Sequence, residues 1–196
     1  MNNLLETLTT EQLNQVKTVT LKKDEILFHE GDVCEVVGIV IDGEVDIVSY
    51  SYGGNEIIFN HLLPKMMFGN NLLFSSDPRY KGSVIAKKPA KIGLINKKSL
   101  ISILKDNETF LASYLQYQAD MSKELNGKIK LLSLDNAEER FTYFLHSHGD
   151  KIAFKSITNV ASSLSLQRET LSRLISRMIK EEKISKNKNQ IVLLKK

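Results

Sequence analysis

Hydrophobic and polar positions follow two different periods along this 196-residue chain. From Val16 to about Ile95, apolar residues arrive in short β-rich runs with turn signals between them. Val36-Val37-Gly38-Ile39-Val40-Ile41 leads into Asp42-Gly43 and then Glu44-Val45-Asp46-Ile47-Val48-Ser49-Tyr50. An Asp-Gly pair between two such runs predicts a hairpin, because glycine takes positive φ without steric cost. Gly53-Gly54-Asn55 separates that strand from Glu56-Ile57-Ile58-Phe59 and predicts a second hairpin. Gly31-Asp32 and the stretch from Gly82 to Ala86 punctuate further short strands. Several short strands at this spacing indicate an antiparallel sandwich or barrel rather than a parallel sheet. No internal repeat or low-complexity segment interrupts the pattern.

The period changes near Ser99. From Leu111 a 4-3 repeat runs through Leu111, Leu115, Gln118, Ser122, Leu125, Ile129 and Leu132. That is about three heptads with apolar ends and a polar centre, the pattern of a helix that packs on a partner helix. Gln118 and Ser122 weaken such a seam but help set its register. A monomer could instead bury the stripe against its own sheet. Asp135 is expected to cap the next helix, with Glu138 completing an Asp-x-x-Glu pattern. That helix is expected to end near His146-Ser147-His148-Gly149.

In residues 156–194, Ile157, Val160, Ala161 and Leu164 place one apolar stripe on a short helix, and Ser165-Leu166 can form a tight turn. Leu171, Leu174, Ile175 and Met178 then bury one face of a second helix at i, i+3, i+4 and i+7. The opposite face carries Arg168, Glu169, Ser172, Arg173 and Ser176. Arginine can donate two hydrogen bonds to guanine O6 and N7, and a carboxylate can accept from cytosine N4, so this edge suits the DNA major groove. The same face could simply be solvated and laced with ion pairs. After it, Ile184-Ser185, a Lys186-Asn187-Lys188-Asn189 tip and Gln190-Ile191-Val192-Leu193 read as a small hairpin. Lys186 and Lys188 are placed there to touch phosphate, as in the wing of a winged helix-turn-helix.

Charge sharpens this division. Residues 1–150 hold 16 Lys and Arg against 20 Asp and Glu, a net −4, whereas residues 151–196 hold 11 against 3, a net +8. All of the basic excess behind the overall +4 therefore lies in the last quarter, as expected for a nucleic-acid reader joined to an acidic partner domain. A solvated lysine-rich tail is the alternative. With 42% hydrophobic and 26% charged residues, the chain is neither disordered nor fibrous. No apolar stretch approaches a membrane span, and the start, MNNLLETLTTEQL, lacks the regions of a signal peptide, so a cytoplasmic protein with no membrane partner is expected. The single cysteine, Cys34, excludes an intramolecular disulfide and a cluster held by four cysteines of one chain.

Taken in order, several stretches resemble the cyclic-AMP receptor protein / fumarate–nitrate regulator (Crp/Fnr) family of bacterial transcription regulators, over nearly the whole chain. They are KDEILFHEGD at 23–32, the Asp42-Gly43-Glu44-Val45 turn, Phe68-Gly69, AEER at 137–140 and, above all, LQRETLSRLISRM at 166–178. The resemblance implies an α+β fold: an N-terminal cyclic-nucleotide-binding-like β-roll over 1–108, a long dimerisation helix over 109–133 and a C-terminal winged helix-turn-helix over 134–196. It implies a homodimer on double-stranded DNA at a palindromic site with a TGA core in each half, its recognition helices about 34–36 Å apart. RNA polymerase is a further partner if the regulator activates. Arg168, Glu169 and Arg173 match the base-reading positions of the cyclic-AMP receptor branch, and Glu169-x-x-Ser172-Arg173 matches the fumarate–nitrate branch.

Departures from the family pattern bear on the effector. The turn glycine of the helix-turn-helix is Ser165 here. Members that bind cyclic AMP present Phe-Gly-Glu, whose acid holds the ribose, and a later Arg-Ser pair that holds the phosphate. Here Asn70 follows Gly69, and Tyr80 and Lys81 stand where Arg and Ser belong, with Arg79 one residue away. Two charge-assisted hydrogen bonds are thereby lost, each worth roughly 1.5–3 kcal/mol, so this degenerate pocket is not expected to hold cyclic AMP tightly. No cofactor is expected; an effector, if there is one, is a different small molecule, and a regulator without any effector is the alternative. Of the histidines His29, His61, His146 and His148, only the last two are close in sequence, and no metal site is expected from two ligands. Cys34 is expected to be inert. A cupin-like enzyme would need a His-x-His with spaced Glu and His on strands; that pattern and a Ser/His/Asp arrangement are both missing, so no catalytic residue is assigned.

Overall fold

The computed structural model describes residues 4–194, so the outermost residues of the expected first and last domains lie outside the described residues. Contacts divide the chain into two compact units, Met1–Ala119 and Asp120–Lys196. The first begins with a 3-10 turn (Leu4–Thr7) and a short helix α1 (Thr10–Leu13), started by a capping box between Thr9 and Gln12. Eight strands follow: β1 (Lys17–Leu21), β2 (Ile26–Phe28), β3 (Val36–Asp42), β4 (Val45–Tyr50), β5 (Glu56–Leu62), β6 (Met67–Phe68), β7 (Ser83–Ala86) and β8 (Ala90–Asn96). They form two antiparallel four-stranded sheets, β1-β8-β3-β6 and β2-β7-β4-β5. Val37, Ile39, Val45, Val48, Val84 and Ile92 are buried between them, which accounts for the β-branched runs of the sequence.

The predicted second hairpin is present: β4 and β5 pair from Val45↔Leu62 to Tyr50↔Glu56 across Gly53-Gly54-Asn55. The predicted Asp42-Gly43 hairpin is not. β3 and β4 lie in different sheets, so Asp42-Gly43 is a corner where the chain crosses from one sheet to the other. The segment between β7 and β8 crosses beside it, with Val45 opposite Ala86 on one side and Asp42 opposite Lys91 on the other. Gly43 takes φ +85°, and a Cβ there would sit 2.2 Å from the Pro89 carbonyl oxygen. The glycine therefore serves positive φ and close backbone approach together, and the sandwich closes into a roll.

Helix α2 (Lys97–Asp106) is capped by Asn96, whose side chain accepts from the Ser99 N–H, and it packs Leu100 and Ile103 into the core. Helix α3 (Glu108–Leu132) spans 25 residues and holds the boundary between the two units. Within the first unit it buries Phe110, Tyr114 and Tyr117. Leu111 and Gln118 are half-buried, whereas Leu115, Ser122, Leu125, Ile129 and Leu132 of the 4-3 repeat are exposed.

The second unit continues with α4 (Ala137–Ser147), β9 (Lys151–Ala153), α5 (Ile157–Ser163), α6 (Arg168–Lys180), β10 (Ile184–Asn187) and β11 (Gln190–Leu193). The cap of α4 is Asn136, one residue later than expected from Asp135: its side chain accepts from the Glu139 N–H and donates to the Glu139 carboxylate. Arg140 donates to the Leu134 and Leu132 carbonyls, satisfying acceptors at the end of α3. The three strands order as β10-β11-β9, so the small terminal sheet is larger by one strand than the expected hairpin. Phe141, Leu145, Val160, Leu164, Leu171 and Ile175 are among the core of this unit. Among the described residues no helix is long and apolar enough to cross a membrane.

Candidate nucleic-acid interface and sensor segment

Helices α5 and α6 with β10 and β11 form a winged helix-turn-helix. Val160, Ala161 and Leu164 of the first stripe are buried and Ile157 is half-buried. Leu171, Leu174, Ile175 and Met178 of the second are all buried, as expected for a helix pressed onto its unit by one face. The turn is a Schellman motif: the Leu166 N–H donates to the Ala161 carbonyl at 2.9 Å and the Ser165 N–H to that of Ser162 at 3.0 Å. Ser165 occupies the left-handed position at φ +52°.

Fixing one face of α6 fixes the other. Arg168, Glu169, Ser172 and Arg173 are all exposed in its first half. Gln167 at the N-cap makes no side-chain cap bond, and the N-terminus of a helix attracts phosphate through its N–H groups and dipole. The Arg173 Nε–H donates to the Glu169 carbonyl at 3.4 Å, laying the arginine along the helix. A shallow groove then continues along the same face, lined by Ser172, Arg173, Ser176, Arg177 and Lys180. Arg177 and Lys180 were outside the sequence expectation; the i+4 repeat from Arg173 to Arg177 and the following lysine carry the signal that finds them. Lys186 is exposed on β10, and Lys188 is exposed in the two-residue turn, since Asn187 pairs directly with Gln190.

In the first unit, the segment expected to be a degenerate pocket divides into an inward and an outward part. Asn70 and Tyr80 are buried, while Arg79 and Lys81 are exposed. Arg79 donates to the Gly31 carbonyl at 2.9 Å, and Lys81 pairs with Asp77 at 2.7 Å. Gly69 is at φ +75°, and a Cβ there would lie 2.6 Å from the Val36 carbonyl oxygen, 3.1 Å from Cys34 Sγ and 3.5 Å from the Tyr80 hydroxyl. Gly69, Cys34 and Tyr80 thus converge with no room for a further side chain.

Tyr80 stacks on Phe28 with ring centroids 4.9 Å apart, and Phe28 meets Phe68 edge-on at 6.4 Å. The Tyr80 hydroxyl is buried and has no hydrogen-bond partner within 3.5 Å among the described residues. Burial, followed by the neighbouring Cys34 thiol, pushes its phenol well above the ordinary range, so it stays neutral. Asn70 donates through its amide to the Gln118 side-chain oxygen, and the Gln118 amide donates back to the Asn70 carbonyl at 3.4 Å. The Tyr117 hydroxyl accepts from the Met67 N–H at 2.8 Å. The first half of α3 therefore grips the 67–70 segment through two side chains, Tyr117 and Gln118.

His61, His146, His148 and Cys34 each have a nearby partner. His61 Nδ1 lies 2.5 Å from Asp46, His146 Nδ1 lies 2.5 Å from Asp150, and His148 Nδ1 lies 2.8 Å from the Phe144 carbonyl. No group of three or more His, Cys, Asp or Glu side chains suited to a metal ion occurs among the described residues. Cys34 is buried and its thiol donates to the Val36 carbonyl at 3.3 Å.

A β-roll, a long helix and a winged helix-turn-helix follow one another in the order that the family resemblance implied, so the resemblance is borne out at the level of the fold. Residues 18–107 match the family model of the cyclic nucleotide-binding domain. No curated protein matches the chain significantly by sequence. Among solved structures, a CooA mutant from Carboxydothermus hydrogenoformans superposes with a TM-score of 0.70 at 19% identity, covering 98% of this chain and 91% of that one. The Thermus thermophilus catabolite activator protein gives 0.57 at 19% identity, covering 98% and 94%. The c-di-GMP-responsive global regulator CLP of Xanthomonas campestris gives 0.57 at 17% identity, covering 95% and 98%.

Proposed function

We propose that this protein is a sequence-specific, DNA-binding transcription regulator of the Crp/Fnr type. It acts in the cytoplasm as a homodimer on a palindromic site, without catalytic activity. The observation that carries this reading is α6, whose apolar stripe is buried while Arg168, Glu169, Ser172 and Arg173 face outward from the +8 end of the chain. These four residues read base edges, and Lys186 and Lys188 on the wing hold phosphate. The parts are then a sensor over 1–108, a dimerisation helix over 109–133 and a DNA reader over 134–196. The exposed Leu115, Leu125, Ile129 and Leu132 support the assignment of α3 to dimer contact, and RNA polymerase is a further partner where the regulator activates.

Selection of bound sequences from random DNA with the purified full chain tests function, site symmetry and dimerisation together. A palindrome with TGA half-sites is expected. Failure to enrich any sequence would refute the assignment.

In this reading the roll takes a small molecule other than cyclic AMP. Crp/Fnr-type architecture is compatible with such an effector, as the c-di-GMP-responsive regulator of the same fold illustrates. A second reading, regulation without any small molecule, is supported by two observations. Tyr80 lies buried inside the roll against Phe28, and Asn70 is engaged by Gln118. Calorimetry with cyclic AMP is expected to show no tight binding; submicromolar affinity would overturn the interpretation of Asn70 and Tyr80.

A further inference from the structure

The far end of α6 holds four charges that alternate in sign. The Arg177 Nη2–H donates to Glu138 Oε2 at 2.7 Å, and Lys183 Nζ donates to Glu138 Oε1 at 2.5 Å. Glu181 closes the ring, 2.8 Å from Lys183 and 3.8 Å from Arg177. The backbone brings them together. Past α6 the chain reverses at Glu182, which takes φ +55°, and the Lys183 N–H donates to the Met178 carbonyl at 2.9 Å. That reversal aims Lys183 back at the first turn of α4, where Glu138 is only 28% exposed. One carboxylate thus ties α4 to the last turn of α6 and to Lys183, the residue just before the wing strand β10. Lys183 and Arg177 hold that carboxyl below the usual carboxylate range, so it is fully charged at neutral pH.

Arg177 also lines the groove of α6, on the face it shares with Arg173 and Lys180. Beyond the base-reading Ser172 and Arg173, the groove continues through Ser176, Arg177 and Lys180, two cations and a hydroxyl with no acid among the lining residues, which have the chemistry of a phosphate track. Arg177 is therefore shared between the ring and the track. Binding to arbitrary DNA is set chiefly by how many cations displace counterions. Binding to an operator needs those cations at fixed positions, so that the base-reading edge meets the bases in register.

We propose that Arg177 is a phosphate-contacting residue and that Glu138 is its positioning residue, an acid that raises sequence discrimination by orienting Arg177 and by offsetting one cation beside the track. The proposal rests on the DNA-binding reading above. Discrimination gained by weakening the unwanted partner is a general device of specific interfaces. Glu138 touches no base in this scheme; it acts through Arg177 and, by way of Lys183, through the wing.

The test measures affinity of the full-length protein for its selected operator and for an unrelated duplex across a salt series. In E138Q the unrelated duplex is expected to bind about threefold to tenfold tighter, with a salt slope steeper by up to about one unit, while the operator gains less or weakens. The specificity ratio therefore falls. E138D, which keeps the charge, is expected to restore the slope. R177A is expected to weaken both duplexes, the operator more than the unrelated one, and to lower the slope by about one. A purely structural Glu138 would change thermal stability and leave slope and ratio at their wild-type values; that result overturns the proposal, as does an R177A slope equal to wild type. Should E138Q fail to fold, the R177A slope still decides whether Arg177 meets phosphate, and E181Q, lacking the more distant carboxylate, shows whether an acid in the ring offsets the track. A wild-type protein that prefers no sequence refutes the DNA reading itself, an outcome distinct from any of these.

Discussion

Two helices of this chain carry the same signal, an apolar residue every three or four positions, and dispose of it in opposite ways. In α6 the stripe of Leu171, Leu174, Ile175 and Met178 is covered by its own unit. In α3 the face that is covered is Phe110, Tyr114 and Tyr117, while Leu115, Leu125, Ile129 and Leu132 remain 49–59% exposed. Periodicity says that a stripe wants cover; it does not say what provides it. A fully buried leucine or isoleucine side chain is worth roughly 1.5–3 kcal/mol, so a row of four left in water favours a partner. The covered stripe supports the proposal of a DNA reader, and the uncovered one supports a proposal of self-association.

The most severe way to break this contrast is to place charge on the uncovered stripe. The double variant Leu125→Glu and Ile129→Glu is expected to leave each unit folded by circular dichroism and to sediment as a monomer. Operator affinity should then fall on the order of 10²–10⁴-fold, because the second half-site is no longer delivered by a linked partner. A dimer that persists would assign the stripe to another role. On the covered stripe the outcome is reversed. Leu171→Ala, at a fully buried position, is expected to destabilise the second unit by about 2–5 kcal/mol in urea unfolding, with oligomeric state unchanged. On the exposed face of the same helix, Arg173→Ala should cost about 1–3 kcal/mol on the preferred operator and relax its sequence choice, with little effect on stability. Equal loss on all DNA would instead make Arg173 a phosphate contact.

What was legible in the sequence follows the same division between local and non-local causes. Both stripes of the helix-turn-helix were readable because the residues that bury one another lie within one or two turns. Asp42-Gly43 was readable as a turn and misleading as a hairpin: the dipeptide sets the backbone at the corner, but which strands pair is decided by β7 and β8, about forty residues on. The cap of α4 shows a finer case. Asp135-x-x-Glu138 and Asn136-x-x-Glu139 satisfy the same local rule, and Glu138 is committed to Arg177 and Lys183, which leaves Glu139 for the cap. Gln118, placed by its heptad on the seam, is instead bonded to Asn70 across 48 residues of sequence. β9 has only three residues and no alternation to announce it. At the segment over 69–81, residue types alone argue against tight cyclic AMP binding, whereas the inward position of Tyr80 is set by the fold and not by local sequence.

The smallest expected effect sharpens the comparison at the turn that lets α6 cover its stripe. Ser165 sits at φ +52° in a Schellman motif whose two hydrogen bonds, from Ser165 to Ser162 and from Leu166 to Ala161, are already made. A non-glycine residue in the left-handed region costs roughly 1–2 kcal/mol through its Cβ, and glycine escapes that cost while losing more backbone freedom on folding, about 0.5–1 kcal/mol. The difference favours Ser165→Gly by about 0.5–1 kcal/mol, measured as a higher urea midpoint of the second unit at unchanged slope. Operator affinity should be unchanged, because Ser165 lies outside the exposed face of α6. A destabilised variant would mean that the serine side chain holds the turn by a contact that outweighs its strain. Loss of operator affinity without loss of stability would place the angle between α5 and α6, rather than the covering of the stripe, under the control of this residue.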